Sequence, residues 1–265
     1  MYKKNISIVI PCSSDTRLSK CLLSIGKGYD VVVALNCPTD DVKKIVSNFK
    51  VRSVEIYEKS LPAALNAGIE ATLNDSFIII DSDCVFEVGA IDRVAKQLKK
   101  IDVVKGHVKY LANSAQSRIV SAYRSYVNYT SPKPYNPFLG INKKIKEKVG
   151  GYFFDDSIGW TEDAELYVRL KQSGINFYYE PLAIAKHDSL TIFQDLKSAR
   201  NYGSGKARRV AKGIATSPGT HFKDFIKVAK AKKILVGLYS IVWNLCYLFG
   251  YGYQLYIVNN MERCK

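Results

Sequence analysis

Histidine is scarce in this sequence, and cysteine motifs that bind metals are missing from it. It has only three histidines, its six cysteines form no Cys-x-x-Cys pair, and none of them stands at a metal-ligand spacing from a histidine. The apolar run from Ile6 to Ile10 is too short for the core of a signal peptide. We therefore expect a cytosolic, reduced protein whose cysteines are free, buried thiols.

Acidic residues are almost missing from residues 197–233. This region has eleven lysines or arginines and one acid, Asp224, so it carries about ten of the fifteen excess positive charges of the chain. A solvated basic face, a nucleic-acid site and a site for anionic lipid are the three interpretations of such a region. Aromatic residues are sparse here and no known nucleic-acid motif is present, so a nucleic-acid-binding protein is the weaker alternative and we expect no nucleic-acid partner.

Short apolar runs alternate with helical patterns in the first half of the chain. Predicted strands cover residues 6–10, 31–35, 51–57 and 77–80, and predicted helices cover residues 15–27, 38–49 and 60–73. Pro11 is expected to end the first strand. Later predicted elements are a strand at 103–111, a helix at 114–129, a helix at 162–172 capped by Thr161, and a strand at 177–185. The alternation predicts an α/β fold, a mainly parallel sheet flanked by helices.

Polar side chains follow the predicted strands where ligands bind in such sheets, beyond the carboxyl ends of the strands. They include Ser13 and Asp15 after the first strand, Asn36 after the second, and Asp81 and Asp83 after the fourth. Two carboxylates one residue apart suit a hard divalent cation that bridges diphosphate oxygens. The alternative for this Asp-x-Asp is an Asx turn that caps a helix.

Two further motifs bear titratable groups. Glu162 and Asp163 stand in the first turn of a predicted helix, where acids are usually partners of the helix dipole. A carboxylate there can also act as a general base. His187 follows the last predicted strand, and it is either a surface group or a ligand that completes a metal site.

The order of these motifs resembles that of the family 2 inverting glycosyltransferases of the GT-A (Rossmann-like) fold, over roughly residues 5–190. The motifs are Ser7-Ile8-Val9-Ile10-Pro11, Pro62-Ala63-Ala64-Leu65-Asn66-Ala67-Gly68-Ile69, Asp81-Ser82-Asp83, Gly150-Gly151-Tyr152-Phe153, Trp160-Thr161-Glu162-Asp163-Ala164-Glu165-Leu166, Arg169-Leu170 and His187. Each motif is weak alone, and the shared order and spacing make the resemblance specific.

The resemblance implies a role for each matching residue. The nucleotide-sugar donor, with a UDP-sugar expected, would be bound by Pro11, Ser13, Asp15, Asn36, Asn66, Asp81 and Asp83. Mn²⁺ or Mg²⁺ would be held by Asp83, with Asp81 and His187 as further ligands. Asp163 would be the catalytic base with Glu162 beside it, and Gly150, Gly151 and Trp160 would line the acceptor side.

Two departures from the family pattern refine this prediction. The family's Asp-Asp-Gly-Ser after the second strand is replaced by Asn36-Cys37-Pro38-Thr39-Asp40, which leaves the identity of the base open. The Gln-x-x-Arg-Trp motif of processive members is missing from residues 201–209, so we predict transfer of a single sugar.

A nucleotidyltransferase would need a glycine-rich phosphate loop, which residues 11–20 lack. A catalytically inactive sugar-binding module is disfavoured because Asp83 and Asp163 are both present.

The end of the chain carries no charge from Ile234 to Val258, twenty-five residues against the roughly 20 needed to cross a bilayer. A spanning or re-entrant helix, a segment lying in the interface, and a soluble packing or oligomer-interface helix all remain open. The lysines before this stretch favour the cytoplasmic face of a membrane. We predict a catalytic domain at 1–219, a basic and hydrophobic membrane-associating helical tail at 220–265, and a lipid-linked or surface-glycan acceptor.

Overall fold

The computed structural model describes residues 4–218 and 222–263, and it divides into two compact units. The first unit comprises Met1–Lys109 and Lys133–His187, and the second comprises Tyr110–Pro132 and Asp188–Lys265. The predicted boundary between residues 219 and 220 lies outside the described residues. The observed division places the helix before that boundary with the tail, because the two pack against each other within the second unit.

Within residues 4–109 and 133–187, the first unit is built on one sheet of eight strands. The strands are β1 (Ser7–Cys12), β2 (Asp30–Asn36), β3 (Arg52–Ile56), β4 (Ser76–Ile79), β5 (Cys84–Phe86), β6 (Val103–Tyr110), β7 (Leu139–Asn142) and β8 (Tyr178–His187). Their order in the sheet is β3-β2-β1-β4-β7-β6-β8-β5. β5 and β7 were not predicted, because three- and four-residue strands are too short to show a periodic pattern.

The sheet is parallel in one half only. β3, β2, β1 and β4 pair in parallel, whereas β7 runs antiparallel to both β4 and β6, and β5 runs antiparallel to β8. The predicted "mainly parallel" sheet is therefore mixed. Apolar runs in a sequence report burial of a strand and not its direction, which explains the difference.

Pro11 does not end the first strand, contrary to the prediction. β1 continues through Pro11 to Cys12, and Pro11 pairs in register with Ala34 of β2. The carbonyl of Val9 accepts the N–H of Ile80, so alternate residues of β1, including Pro11, face the β4 side. β4 pairs with β1 only as far as Val9, so no strand lies beside Pro11 on that side. A backbone N–H is not needed at this position, and proline is therefore tolerated within the strand.

Five helices complete the part of the first unit that the structure describes. They are α1 (Leu18–Ile25), α2 (Asp40–Phe49), α3 (Leu61–Glu70), α4 (Ala90–Leu98) and α6 (Glu162–Gln172), and two single 3₁₀ turns cover Lys143–Ile145 and Glu147–Val149. Ser60 caps α3, its side chain accepting the N–H of Ala63 at 3.2 Å. The core contains fully buried side chains from the sheet and the loops, such as Phe77, Phe153 and Phe154. This core fixes the loops that follow the strands.

The second unit is helical. Its helices are α5 (Ala115–Tyr129), α7 (Ile192–Ala211), α8 (Phe222–Lys232) and α9 (Ile234–Arg263). The helices share an apolar core that includes Val120, Tyr123, Val228 and Tyr239. A charged group is buried beside this core, where Arg124 of α5 forms an ion pair with the fully buried Asp195 of α7.

Candidate active site

The loops after β1 and β2 are joined to each other. Ser13 accepts the N–H of Thr39 on its backbone carbonyl at 3.0 Å, and its hydroxyl donates to the carbonyl of Cys37 at 3.3 Å. At the end of β2 the side-chain oxygen Oδ1 of Asn36 is buried, and it has no hydrogen-bond partner within residues 4–218 and 222–263. A buried amide oxygen without a partner is unfavourable by roughly 1–3 kcal/mol, which fits an amide that binds the edge of a ligand.

Arg17, which the sequence analysis did not single out, joins two of the predicted acids. Its guanidinium binds Asp15 at 2.7 Å and lies 3.3 Å from Oδ2 of Asp83. Burial acts to raise the pKa of Asp15, but hydrogen bonds and charge from Arg17 outweigh it and lower that pKa. The guanidinium therefore keeps Asp15 ionised and places a positive charge beside the Asp-x-Asp motif.

Asp83 and His187 are brought together by the antiparallel pairing of β5 with β8. Cys84 stands opposite His187 in that register, and His187 Nε2 lies 3.3 Å from Asp83 Oδ2. Donor atoms of Asp83, Cys84 and His187 all lie within 4.8 Å of one another. The helix-cap alternative for the Asp-x-Asp is wrong, because the residues after Asp83 form a strand that completes this cluster.

The donor atoms of this cluster suit a hard divalent cation. Burial raises the pKa of the Cys84 thiol well above its ordinary value, which disfavours the thiolate form that binds metals. Asp83 and His187 then offer a carboxylate oxygen and an imidazole nitrogen, donors that Mn²⁺ accepts. Burial and the neighbouring Asp83 raise the pKa of Asp81 to about 7, which indicates crowded negative charge at this end of the sheet.

The second pair of acids begins α6. Thr161 occupies the N-cap position, but its side chain makes no capping hydrogen bond, so the predicted cap is wrong in this respect. The carboxylate of Asp163 instead accepts two backbone N–H groups, from Asn136 at 2.9 Å and from Ala164 at 2.6 Å. These bonds hold Asp163 in a fixed position at the helix N-terminus. Trp160, half exposed, has a positive φ of 69°, a strained conformation of the kind that clusters at functional sites.

Glu162 and Asp163 differ in environment although they are adjacent. Glu162 is 4% exposed, and burial together with the charge of Asp163 raises its pKa to about 8. Its oxygen Oε2 has no hydrogen-bond partner in the described part of the chain. Glu162 therefore holds a proton at neutral pH, whereas Asp163 lies near enough to Asp81 to raise the pKa of that group as well. The two predicted acid pairs form one electrostatically coupled site.

A buried lysine lies among these acids, and no motif had indicated it. Lys105 of β6 is 5% exposed, and its ammonium donates to the carbonyl of Pro137. Burial lowers its pKa to about 8, while the charges of Asp163 and Asp81 act in the opposite direction. Lys105 thus supplies positive charge near Asp163 and Asp81, one acid of each pair. Its alternating strand context carries no catalytic signature, and only the sheet order places it here.

The predicted acceptor-side glycines lie in a loop that is fastened on both sides. Gly150 and Gly151 have positive φ angles of 100° and 83°, which glycine adopts without strain. Arg169 of α6 donates to the carbonyls of Tyr152 and Phe153 at 2.8 Å and 2.6 Å. Arg169 is itself held by Glu165, at 2.7 Å.

Asn66 of α3 fastens the other side of the same loop. Its amide exchanges two hydrogen bonds with the backbone of Phe154, at 2.8 Å and 3.1 Å, and also donates to Asp156. Donor binding by Asn66 stays a prediction, and the structure gives this residue a second role in positioning the loop. Ser13 and Asp15 follow β1, as predicted, and Pro11 lies within its last two residues. Contact of these three residues with a donor is likewise still a prediction.

A doubly acidic site beyond the carboxyl ends of a parallel half-sheet defines an α/β enzyme suited to a nucleotide and a divalent cation. The chain belongs to glycosyl transferase family 2, whose sequence model matches residues 7–154, more than half of the chain. The predicted family is therefore confirmed. Membership favours glycosyl transfer over the nucleotidyltransferase and nucleic-acid-binding alternatives.

Curated relatives are distant and longer than this chain. The pre-mycofactocin glycosyltransferase of Mycobacterium tuberculosis is 23% identical over 227 residues, which cover 78% of this chain and 48% of that protein. An uncharacterized glycosyltransferase of Mycobacterium bovis is 26% identical over 109 residues, 40% of this chain and 50% of that protein. The chain thus spans about half the length of the curated relatives it matches.

Solved structures share the fold at low identity. Mannosyltransferase PcManGT from Pyrobaculum calidifontis, in complex with GDP-Man and Mn²⁺, has a TM-score of 0.62 and 13% identity, covering 91% of this chain and 73% of that one. Glucosyl-3-phosphoglycerate synthase from M. tuberculosis, with Mn²⁺, UDP-glucose and phosphoglyceric acid, has a TM-score of 0.59 and 15% identity, covering 81% and 82%. TarS of S. aureus with UDP-GlcNAc has a TM-score of 0.56 and 14% identity, covering 89% of this chain and 73% of that one. These likenesses confirm the predicted GT-A fold.

Proposed function

We propose that this chain transfers a single sugar, with inversion at the anomeric carbon, from a nucleotide-diphosphate sugar to a hydroxyl of its acceptor, and that the reaction requires Mn²⁺ or Mg²⁺. The observation that carries the proposal is the coupling of the Asp-x-Asp motif to the acids of α6. Asp81 responds to the charges of both Asp83 and Asp163. A cation-binding group and a candidate base therefore act on one small volume.

The donor would lie at the ends of β1, β2 and β4. Asp83 and His187 would hold the cation, with Asp81 beside them, and Asn36 would contact the base with its unpartnered amide oxygen. When bound, the cation would offset the negative charge that develops on the diphosphate leaving group. The solved relatives, which contain UDP-glucose, UDP-GlcNAc or GDP-Man, support a nucleotide-sugar donor, and we take a UDP-sugar as the first candidate.

Asp163 would act as the base. Its carboxylate would accept the proton of the acceptor hydroxyl while the hydroxyl oxygen attacks the anomeric carbon and the bond to the diphosphate breaks. Attack from the opposite face inverts the anomeric carbon, and one base is sufficient because no residue forms a covalent intermediate. Glu162 is the less suitable base, since its pKa of about 8 leaves it protonated at neutral pH. Gly150, Gly151 and Trp160 would lie on the acceptor side, and the proposed acceptor is a lipid-linked or surface glycan.

Cation binding is tested with Asp83→Asn and a matched control, Asp41→Asn, an exposed aspartate of α2. Mn²⁺ binding is measured directly by electron paramagnetic resonance, and donor binding by thermal shift with UDP-glucose, UDP-GlcNAc and GDP-Man. We expect Asp83→Asn to lose Mn²⁺ binding and the Mn²⁺-dependent shift, and Asp41→Asn to keep both. Unchanged Mn²⁺ affinity of a folded Asp83→Asn protein would contradict the metal assignment.

A further inference from the structure

α9 presents an uninterrupted apolar stripe to solvent. Its residues recur every three or four positions, so they lie on one face of the helix. The α9 stripe consists of Leu238, Val242, Leu245, Phe249, Tyr253 and Tyr256. Each of these side chains is between 46% and 68% exposed. A contiguous exposed apolar surface of this length indicates an interaction site.

The opposite face of α9 packs tightly against α7. A Cβ atom on Gly203 of α7 would lie 1.9 Å from the carbonyl oxygen of Tyr247, and one on Gly250 of α9 would lie 1.9 Å from that of Arg200. Glycine is thus required at both positions for the two backbones to approach. α9 is long and apolar enough to cross a membrane over Ile234–Asn260, but the contact with α7 binds it to the rest of the second unit.

Exposed basic side chains on α7 and on α8, the two helices that pack against α9, form what we call the basic border of the stripe. On α7, Arg200 lies over the rings of Phe249 and Tyr253, at 5.4 Å and 5.7 Å from their centroids, and Lys197 is exposed one turn before it. On and just after α8, the exposed basic residues are Lys227, Lys230, Lys232 and Lys233. Among the side chains of the second unit that the structure describes, the acids are Asp188 and Asp195 alone, and Asp195 is buried against Arg124.

We propose that the α9 stripe and its basic border bind the surface of a membrane that contains anionic lipid, with α9 lying in the plane of the interface. Apolar side chains would enter the boundary between headgroups and acyl chains, and the lysines and arginines would contact the phosphates. The tyrosines of the stripe suit the headgroup level. Anionic lipid is concentrated in the cytoplasmic leaflet, which agrees with a location at the cytoplasmic face.

Two other arrangements of α9 fit the structure less well. If α9 crossed the bilayer, it would either carry α7 with its basic residues into the hydrocarbon, where such side chains are strongly disfavoured, or give up the glycine contact. If a second copy covered the stripe, a two-fold interface would bring the same basic border of each copy together and oppose association. A membrane surface satisfies both the apolar and the basic part of the face.

The test uses the full chain and vesicles of phosphatidylcholine with or without phosphatidylglycerol. We expect cosedimentation with the vesicles that contain phosphatidylglycerol, at least tenfold weaker binding without that lipid, and release by high salt or alkaline carbonate. Leu245→Glu, on the stripe, should weaken binding at least tenfold. Its control is Leu23→Glu, in α1, which should bind like the wild type; Leu23 is 71% exposed and Leu245 60%. Circular dichroism verifies that both variants are folded.

Three outcomes would overturn the proposal. Protein that resists carbonate extraction would indicate a spanning helix. A lipid-free dimer that Leu245→Glu dissociates would assign the stripe to a second copy. A monomer that binds neither type of vesicle would leave the stripe without this role. None of these results depends on donor or Mn²⁺ binding, so the proposed reaction is tested separately.

Discussion

The variants Asp163→Asn and Glu162→Gln should distinguish the catalytic roles of two adjacent carboxyl groups, which the sequence alone did not. Burial raises the pKa of Glu162 from an ordinary 4.5 to about 8. At pH 6.5 the Glu162 side chain is then predominantly protonated. Glutamine has the shape of the protonated acid and can replace it, so Glu162→Gln should keep most of its turnover at this pH. Asp163→Asn removes the proposed base, and turnover should fall at least ~100-fold.

The assay follows Mn²⁺-dependent release of nucleoside diphosphate from whichever of UDP-glucose, UDP-GlcNAc and GDP-Man gives the largest thermal shift. Donor affinity of Asp163→Asn should stay near the wild-type value, because a base acts on the acceptor or on water and not on the donor. Equal losses of turnover in the two variants at pH 6.5 would refute the reasoning, as Glu162 would then have to be ionised. Retention of most turnover by Asp163→Asn would place the base elsewhere.

Three further predictions concern stability and nucleotide binding. Because burial raises the folded-state pKa of Glu162, the wild-type free energy of unfolding should fall as pH rises from about 5 to about 8. In denaturant titrations, Glu162→Gln should make this fall smaller by on the order of 2–3 kcal/mol. Asp195→Asn should leave the buried Arg124 without its partner charge and lower the free energy of unfolding by about 3 kcal/mol, and a loss under about 1 kcal/mol would contradict this. Asn36→Ala should weaken nucleotide binding about tenfold in calorimetry, while unchanged affinity would assign base recognition to other groups.

The sequence by itself determined the fold class and most of the predicted donor side of the site. β1, β2 and β4 are short apolar runs, β3 mixes polar and apolar residues, and all four alternate with helices. These local patterns are enough to predict a helix-flanked sheet. Asp81 and Asp83 stand directly after one of these runs. Their position at the carboxyl edge follows from chain order alone, because parallel strands end at the same edge of the sheet.

Only the tertiary structure decided which distant groups meet. Asp83 reaches His187 because β5, a three-residue strand, pairs with β8 across about one hundred residues, and Lys105 enters the site through the position of β6 in the sheet. Register between distant strands depends on packing that no local pattern records.

The same limit applies to the tail of the chain. Its apolar composition was evident from the sequence, and three arrangements were compatible with it. The division predicted at 219/220 followed the change in composition, whereas α7 and α9 lie in one unit because Gly203 and Gly250 allow their backbones to touch. Which face of α9 is covered, and which stays exposed, follows from that long-range contact, since hydrophobicity alone does not say what a helix packs against.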